Sequence, residues 1–218
     1  MITQARFWND PSNIRWFANE PAPDYWRDFF TEHKTTYSQK VLDLGCGAGR
    51  NTELLYRLGY DVYACDLHLG MIRATKERLV KAGMEEKEVK YRIVQATMLR
   101  LPYGLDTFDI VLSNGVYHNV DSTDEMIQAV GESARILKDQ GLVCFNLFSS
   151  DYIDQTLKKI TANTYLTKEG LPMVLISPRD FLSICRSNSL VLEGELKSYN
   201  REVSTGVRSV MRGVSRKK

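Results

Sequence analysis

The 218-residue chain lacks a charge surplus of either sign: 29 Lys and Arg against 27 Asp and Glu leave a formal net charge of +2. A protein whose affinity came mainly from neutralising many phosphates would carry a larger excess of cations, so an obligatory nucleic-acid partner is disfavoured. The chain also lacks any apolar run approaching the ~20 residues that cross a bilayer. Its longest such runs, residues 141–148 for example, are of strand length, so no membrane partner is expected. The first ten residues show no basic patch followed by an apolar stretch and a small-residue cleavage site, which predicts a cytoplasmic protein without a secretory signal. The four cysteines, Cys46, Cys65, Cys144 and Cys185, have neither CxxC nor Cys/His ligand spacing. They are expected to be reduced and to act as small hydrophobes, with no disulfide and no zinc site.

What is present is an ordinary globular composition, 43% hydrophobic and 26% charged. At about 150 residues per domain this length favours one α/β domain with extensions over two independent cores. From Lys40 onward, short β-rich runs alternate with stretches of helical period, the mark of βαβ units. Strands are predicted at residues 41–44, 61–65, 90–95, 108–113 and 142–148, and helices at 50–58, 71–82, 124–137, 152–161 and 178–187. Residues 190–199 and 206–215 read as an extended hairpin that completes seven strands. The fold class is therefore α/β, a Rossmann-like, doubly wound, seven-stranded and mostly parallel sheet with an antiparallel last strand. Residues 1–39 form an N-terminal helical extension, residues 40–218 the α/β domain, and residues 151–177 an insertion suited to a substrate wall.

The extension holds all three tryptophans and nine of the 22 aromatic residues. Asp10-Pro11 fits an N-cap followed by proline at the first helical position, and a second helix can begin after Pro23 with Trp26, Phe29 and Phe30 on one face. These rings either staple the extension to the domain or form a lid over a site, and different residues can do each.

Residues 41–51, Val-Leu-Asp-Leu-Gly-Cys-Gly-Ala-Gly-Arg-Asn, run from a buried strand through a glycine turn into a helix. Glycine permits positive φ and a close backbone approach, and the helix N-terminus offers unsatisfied N–H groups. The next strand ends at Asp66, 21 residues after Gly45, where a carboxylate can accept both hydroxyls of a ribose. The spacing is G-x-G-x-G with Asp43 inside the strand, unlike the G-x-G-x-x-G of dinucleotide sites. A carboxylate there would repel a pyrophosphate and suits a cofactor with an α-amino group and a sulfonium, so S-adenosylmethionine fits better than NAD. No GK[ST] follows the glycines to make a nucleoside-triphosphate loop.

Together, residues 41–51, Asp66 with the Leu67-His68-Leu69-Gly70-Met71-Ile72 that follows, Leu101-Pro102-Tyr103 and residues 108–114 (Phe-Asp-Ile-Val-Leu-Ser-Asn) resemble the ordered motifs of class I S-adenosylmethionine-dependent methyltransferases. The resemblance covers about residues 40–148. It implies that Gly45, Cys46 and Gly47 line the methionine half of S-adenosyl-L-methionine, that Asp66 binds the ribose, that Leu67 packs on the adenine and that Asn114 sits near the transferring methyl. It departs from the pattern at Thr97, beside Met98, where relatives often carry an aspartate for the adenine amino group, and at His68, where a serine would cap the following helix better.

A general base is expected from His118, just past the fourth strand on the carboxyl edge, which can instead cap or pack the next helix, with Tyr117 as a hydroxyl donor or an aromatic wall. The acceptor is expected to be a small organic molecule methylated at N, O or S and giving S-adenosyl-L-homocysteine, with no metal. After the fourth strand there is no Asn/Asp-Pro-Pro-aromatic run of DNA amino-methyltransferases, and the chain has no Pro-Cys for a cytosine-C5 enzyme. The alternatives are an RNA or protein methyltransferase, suggested by Arg208, Arg212 and Arg216 at one strand spacing with Lys217 and Lys218 after them, and a non-catalytic cofactor-binding subunit.

Overall fold

The computed structural model describes residues 4–203 and 206–218. Three helices come first, α1 (Gln4–Trp8), α2 (Pro11–Asn19) and α3 (Asp24–Glu32). The domain follows with β1 (Lys40–Leu44), α4 (Arg50–Arg57), β2 (Asp61–Asp66), α5 (Leu69–Lys81), α6 (Glu86–Arg92), β3 (Ile93–Gln95), β4 (Phe108–Asn114), α7 (Thr123–Ile136) and β5 (Leu137–Ser149). Three short strands come next, β6 (Lys158–Lys159), β7 (Thr164–Leu166) and β8 (Pro172–Val174), then α8 (Pro178–Ser187), β9 (Leu190–Val203) and β10 (Gly206–Lys217).

Seven strands form one sheet in the order β3-β2-β1-β4-β5-β10-β9. The first five are parallel, and β10 runs antiparallel to both β5 and β9. Alternate residues feed opposite faces. Val41, Ile110, Leu112 and Cys144 join the core that also holds Trp26, Phe30, Leu55, Ile72 and Leu79 from α3, α4 and α5. Leu42, Val111, Val143 and Phe145 join the core that holds Met126, Val130 and Phe181 from α7 and α8. Burial on both faces explains why these strands read as continuous apolar runs. All four cysteines are buried free thiols.

Asp10 caps α2 as its sequence predicts, accepting the Ser12 N–H at 2.8 Å. Two predicted elements are corrected. Residues 90–92 end a helix rather than begin a strand: Glu86 and Glu88 lie in the first turn of α6 and Lys90 and Arg92 in its last, matching the helix dipole, so only Ile93–Gln95 is left for β3. Residues 152–161 are not a helix, although Ile153, Leu157 and Ile160 have helical spacing. Asp154 closes a turn instead, its Oδ1 accepting the Thr156 N–H at 2.8 Å and its backbone oxygen the Leu157 N–H at 3.0 Å. Its Oδ2 accepts the Val207 N–H, tying the insertion to β10. The insertion is the small antiparallel sheet β6-β7-β8, in which Leu157, Tyr165, Met173 and Leu175 pack together and on Phe148 and Ile153. Among the described residues, no helix is long and apolar enough to cross a membrane.

Candidate functional site

The glycine loop after β1 turns on three left-handed residues, Gly45 (φ 64°), Gly47 (φ 54°) and Gly49 (φ 83°). A Cβ at Gly45 would lie 2.5 Å from Val116, so that glycine is required by a close approach. One at Gly47 would meet nothing within 4 Å, and the same holds at Gly115 (φ 81°) after β4; these two glycines open onto the same cavity. The cavity encloses about 160 Å³ at the carboxyl edge of β1, β2 and β4, where open parallel sheets bind ligands.

Asp66 ends β2 beside this loop. Its Oδ2 accepts the Gly47 N–H at 3.0 Å and its Oδ1 the His68 N–H at 2.8 Å, leaving a further lone pair on each oxygen. Burial pushes its carboxyl up and the neighbouring His68 imidazole down. Asn51, at the start of α4, also lines the cavity, and its buried Oδ1 has no hydrogen-bond partner in the protein. Arg50 lines it too, with a 21% exposed side chain.

The extension reaches this site twice. Trp8 and Phe17 line the cavity, and Trp8 stacks on His68 with ring centroids 6.2 Å apart. His68 makes no side-chain cap for α5; Asn9 of the extension accepts the Gly70 N–H at 3.0 Å in its place. The loss of a serine cap at position 68 is thus offset from outside the helix. Further along, Tyr25 Oη and Trp26 Nε1 both donate to Asn114 Oδ1, at 3.0 and 2.9 Å, and Asn146 Nδ2 donates to Tyr25 Oη at 2.6 Å. An indole N–H can only donate, so it fixes the Asn114 amide with its oxygen toward α3 and leaves the Nδ2 donors for the cavity.

Of the residues expected from sequence, Gly45, Cys46, Gly47, Asp66, Leu67, Thr97, Met98 and Asn114 come together around the one cavity. Asp43, Tyr117 and His118 do not line it. Asp43 lies behind the loop, accepting Thr52 Oγ1 at 2.6 Å, and burial pushes its carboxyl up to about 7. Tyr117 is fully buried, donating to Ser133 Oγ at 2.7 Å, with burial holding its phenol far above the ordinary range. His118 is buried against Phe148, whose N–H donates to Nδ1 at 3.2 Å. Gly115 causes this departure: its left-handed turn, closed by Asn119 Nδ2 on the Gly115 carbonyl at 2.8 Å, faces Val116 and Asn119 to the cavity and packs Tyr117 and His118 away from it. Sequence reasoning missed Trp8, Phe17, Arg50 and Asn51 in the cavity wall, and Tyr25 and Trp26 behind Asn114. The crowding of aromatics in the extension was the available signal for the rings, and the place of Arg50 and Asn51 at the end of the glycine motif was the signal for the other two.

Burial, with Arg208 nearby, depresses the His118 pKa to about 3 from its ordinary 6.5. Between these values the unfolded chain binds a proton that the folded one refuses, so stability falls as pH drops, by about 1.4 kcal/mol per unit. Between pH 7 and pH 5 the His118 share is a loss of about 2 kcal/mol, opposed by the raised Asp43 carboxyl, so in urea unfolding His118→Gln is expected to gain about that much over the wild type on going from pH 7 to pH 5. An unchanged slope in the variant would refute the assignment.

Residues 42–145 match the family described as a methyltransferase domain. The chain is 35% identical over 126 residues to a demethylmenaquinone methyltransferase of Thermobifida fusca, covering 57% of this chain and 50% of that protein. It is 33% identical over 158 residues to a ubiquinone biosynthesis O-methyltransferase of Bartonella bacilliformis, covering 72% and 60%. The chain thus spans about half to three-fifths of the length of these two relatives. An S-adenosylmethionine-dependent methyltransferase structure from Methanosarcina mazei superposes with a TM-score of 0.71 at 15% identity, covering 91% of this chain and 99% of the other. The chain belongs to the class I S-adenosylmethionine-dependent methyltransferases.

The cavity also fits the family's cofactor on its own terms. The unpartnered Asn51 oxygen offers an acceptor to an amino group, and the space over Gly47 and Gly115 is what close backbone contact with a ligand requires. Among the described residues, no three His, Cys, Asp or Glu side chains cluster as a metal site would need. The three arginines at one strand spacing do not form a shared surface: Arg208 is buried, Arg216 pairs with Glu193, and Arg212 covers the Tyr25 ring at 3.8 Å. β10 is also an inner strand rather than the sheet edge.

Proposed function

We propose that this methyltransferase binds S-adenosyl-L-methionine in the cavity and methylates a nitrogen, oxygen or sulfur atom of a small organic molecule. The observation that carries the reading is the convergence on one cavity of the Asp66 carboxylate at one end and the oriented Asn114 amide at the other, with the glycine loop between them. The sulfonium cofactor supplies an electrophilic methyl group.

In this reading, Asp66 accepts the two ribose hydroxyls through its remaining lone pairs, and Leu67 and Met98 pack on the adenine with Thr97 at its edge. Gly45, Cys46 and Gly47 line the methionine half, with Arg50 beside its carboxylate and the Asn51 oxygen beside its amino group. Asp43 acts from behind the loop, through charge rather than contact. On the acceptor side, Asn114 turns its amide donors to the cavity, held by Tyr25 and Trp26. Tyr117 and His118 take structural roles, so the protein's contribution is mainly to position the nucleophile and exclude water, which can supply about 7–11 kcal/mol. The reading requires no metal. The relatives support small acceptors: one is a demethylmenaquinone methyltransferase, another a ubiquinone biosynthesis O-methyltransferase, and a Burkholderia thailandensis 1,6-didemethyltoxoflavin-N1-methyltransferase of similar fold (TM-score 0.64, 18% identity, covering 97% of this chain and 80% of that one) was solved with 1,6-didemethyltoxoflavin and S-adenosylhomocysteine.

Calorimetry is expected to show binding of S-adenosylmethionine and S-adenosylhomocysteine and none of NADH; binding of NADH alone would overturn the cofactor. A panel of small amines, phenols and thiols is expected to include a methyl acceptor. Activity confined to RNA or protein would overturn the acceptor class.

A further inference from the structure

A row of polar side chains leads out of the cavity across four strands. Asn114 on β4 pairs with Asn146 on β5, Asn146 with Arg212 on β10, and Arg212 with Lys197 on β9. Directly paired residues project from the same face of a sheet, so these four stand side by side. The face is the one that α3 covers, since Tyr25 bonds to both asparagines and lies under the Arg212 guanidinium. The next register row toward the carboxyl end of β5 is apolar and aromatic, Phe148 paired with Val210 and Val210 with Tyr199. Arg212 lies over Tyr199 as well, at 5.6 Å.

Arg212 is half-buried, yet among the described residues it has no carboxylate within 4.0 Å and no hydrogen-bond acceptor. Stacking on Tyr25 satisfies one face of the guanidinium and leaves its edge of N–H donors open. Arg201, farther along β9, likewise has no carboxylate within 4.0 Å among the described residues. The neighbouring Arg50 has one, Glu20, at 3.9 Å, and its pKa is lowered by burial and by the charge of Arg201. A guanidinium stays protonated in a protein, so Arg212 and Arg201 hold positive charge without a paired carboxylate among the described residues, while the chain as a whole is almost neutral. The remaining cations of β10 are committed elsewhere: Arg208 is buried, Arg216 pairs with Glu193 and Lys217 Nζ bonds to Asp106 at 3.0 Å. Two or three neighbouring cations suit one small oxyanion and are too few to neutralise a nucleic-acid backbone.

We propose, resting on the reading that the cavity holds S-adenosylmethionine, that the methyl acceptor is a small molecule bearing a carboxylate or phosphate, whose oxyanion docks on the open edge of Arg212 with Arg201 as the outer cation. The Tyr25, Tyr199 and Phe148 rings flank the carbon skeleton, and the reacting atom lies on the Asn114 side of the row. Arg212 is a specificity-determining residue: it selects the acceptor and touches none of the reacting atoms.

The probes are benzoate, phenyl phosphate and the neutral isostere benzamide, their binding to the full chain measured by ligand-observed NMR with and without S-adenosylhomocysteine. Benzoate or phenyl phosphate is expected to bind at least about tenfold tighter than benzamide. Arg212→Gln is expected to lose that preference and Arg212→Lys to keep part of it, with S-adenosylhomocysteine affinity unchanged in both. Arg201→Gln, on an exposed position, is expected to lower anion affinity several-fold, and it tests the site should Arg212→Gln fail to fold. Equal binding of benzamide overturns the proposal. So does an anion preference that survives Arg212→Gln, or one that Lys197→Gln lowers as much as Arg212→Gln does, which would indicate diffuse charge. If S-adenosylhomocysteine fails to bind the wild-type chain while the anion preference still depends on Arg212, the cofactor reading falls and the anion site stands.

Discussion

Asp66→Ala is expected to weaken S-adenosylhomocysteine binding by about 10²- to 10⁴-fold, which places it beyond ordinary calorimetric detection. Hydrogen bonds to a charged partner contribute about 1.5–3 kcal/mol each, and two would be lost from the ribose. The same carboxylate holds the loop by accepting the Gly47 and His68 N–H groups at 3.0 and 2.8 Å, so the truncation also removes the anchor between β2 and the glycine turn. Asp66→Asn separates the two effects. Its single carbonyl oxygen can hold one of these donors, while its amide turns a donor toward the other, so the loop loosens without losing volume. The order of affinities is expected to be wild type, then Asn, then Ala, with thermal unfolding showing both variants folded. An Asp66→Ala protein that binds S-adenosylhomocysteine as the wild type does would remove the ribose assignment and, with it, the cofactor's orientation in the cavity.

The part of this site that was legible in the sequence is the part made by local chemistry. A strand, three left-handed glycines and a helix start must lie within a dozen residues of one another, and Asp66 follows at the end of the adjacent strand, so the residues that meet there are near in sequence or fixed by the βαβ repeat. The same logic put Asn114 at the end of β4. It failed three residues later, because whether Tyr117 and His118 face the cavity or the core depends on the turn at Gly115 and on Phe148, which lies 30 residues from His118. It failed again at Tyr25 and Trp26, whose bonds to Asn114 span 89 and 88 residues; their aromatic character was visible, but the direction of an indole N–H was not. In the insertion, the spacing of Ile153, Leu157 and Ile160 satisfied a helical period while the Asp154 side chain, bonded to Thr156 and Val207, settled the segment as turn and sheet. Local pattern thus specified the scaffold and the glycine-loop end of the cavity, and tertiary packing specified the surroundings of Asn114.

Trp26→Ala is expected to cost about 3–5 kcal/mol, a large share of the 5–15 kcal/mol that ordinarily keeps a domain folded. Trp26 is 2% exposed and packs with Phe29 and Phe30, while the Phe30 ring meets Tyr60, whose hydroxyl donates to the Phe30 carbonyl at 2.7 Å. Trp26→Phe keeps most of the ring burial and removes only the bond to Asn114, so it is expected to retain most of the stability and to lose methyl-transfer rate, because the Tyr25 hydroxyl left on Asn114 can accept as well as donate and orients the amide less firmly. The contrast with α2 is physical: α2 buries no residue, and its neighbour Asn9 holds the domain through a bond to the Gly70 N–H. The aromatic extension is therefore expected to divide in hydrogen exchange. The α3 amides should exchange only with global unfolding, whereas those of α2 should open independently and slow when S-adenosylhomocysteine is bound beneath Trp8 and Phe17. Uniform exchange across α2 and α3 would mean that the extension behaves as one unit, leaving no separate lid and requiring cofactor entry by another edge of the cavity.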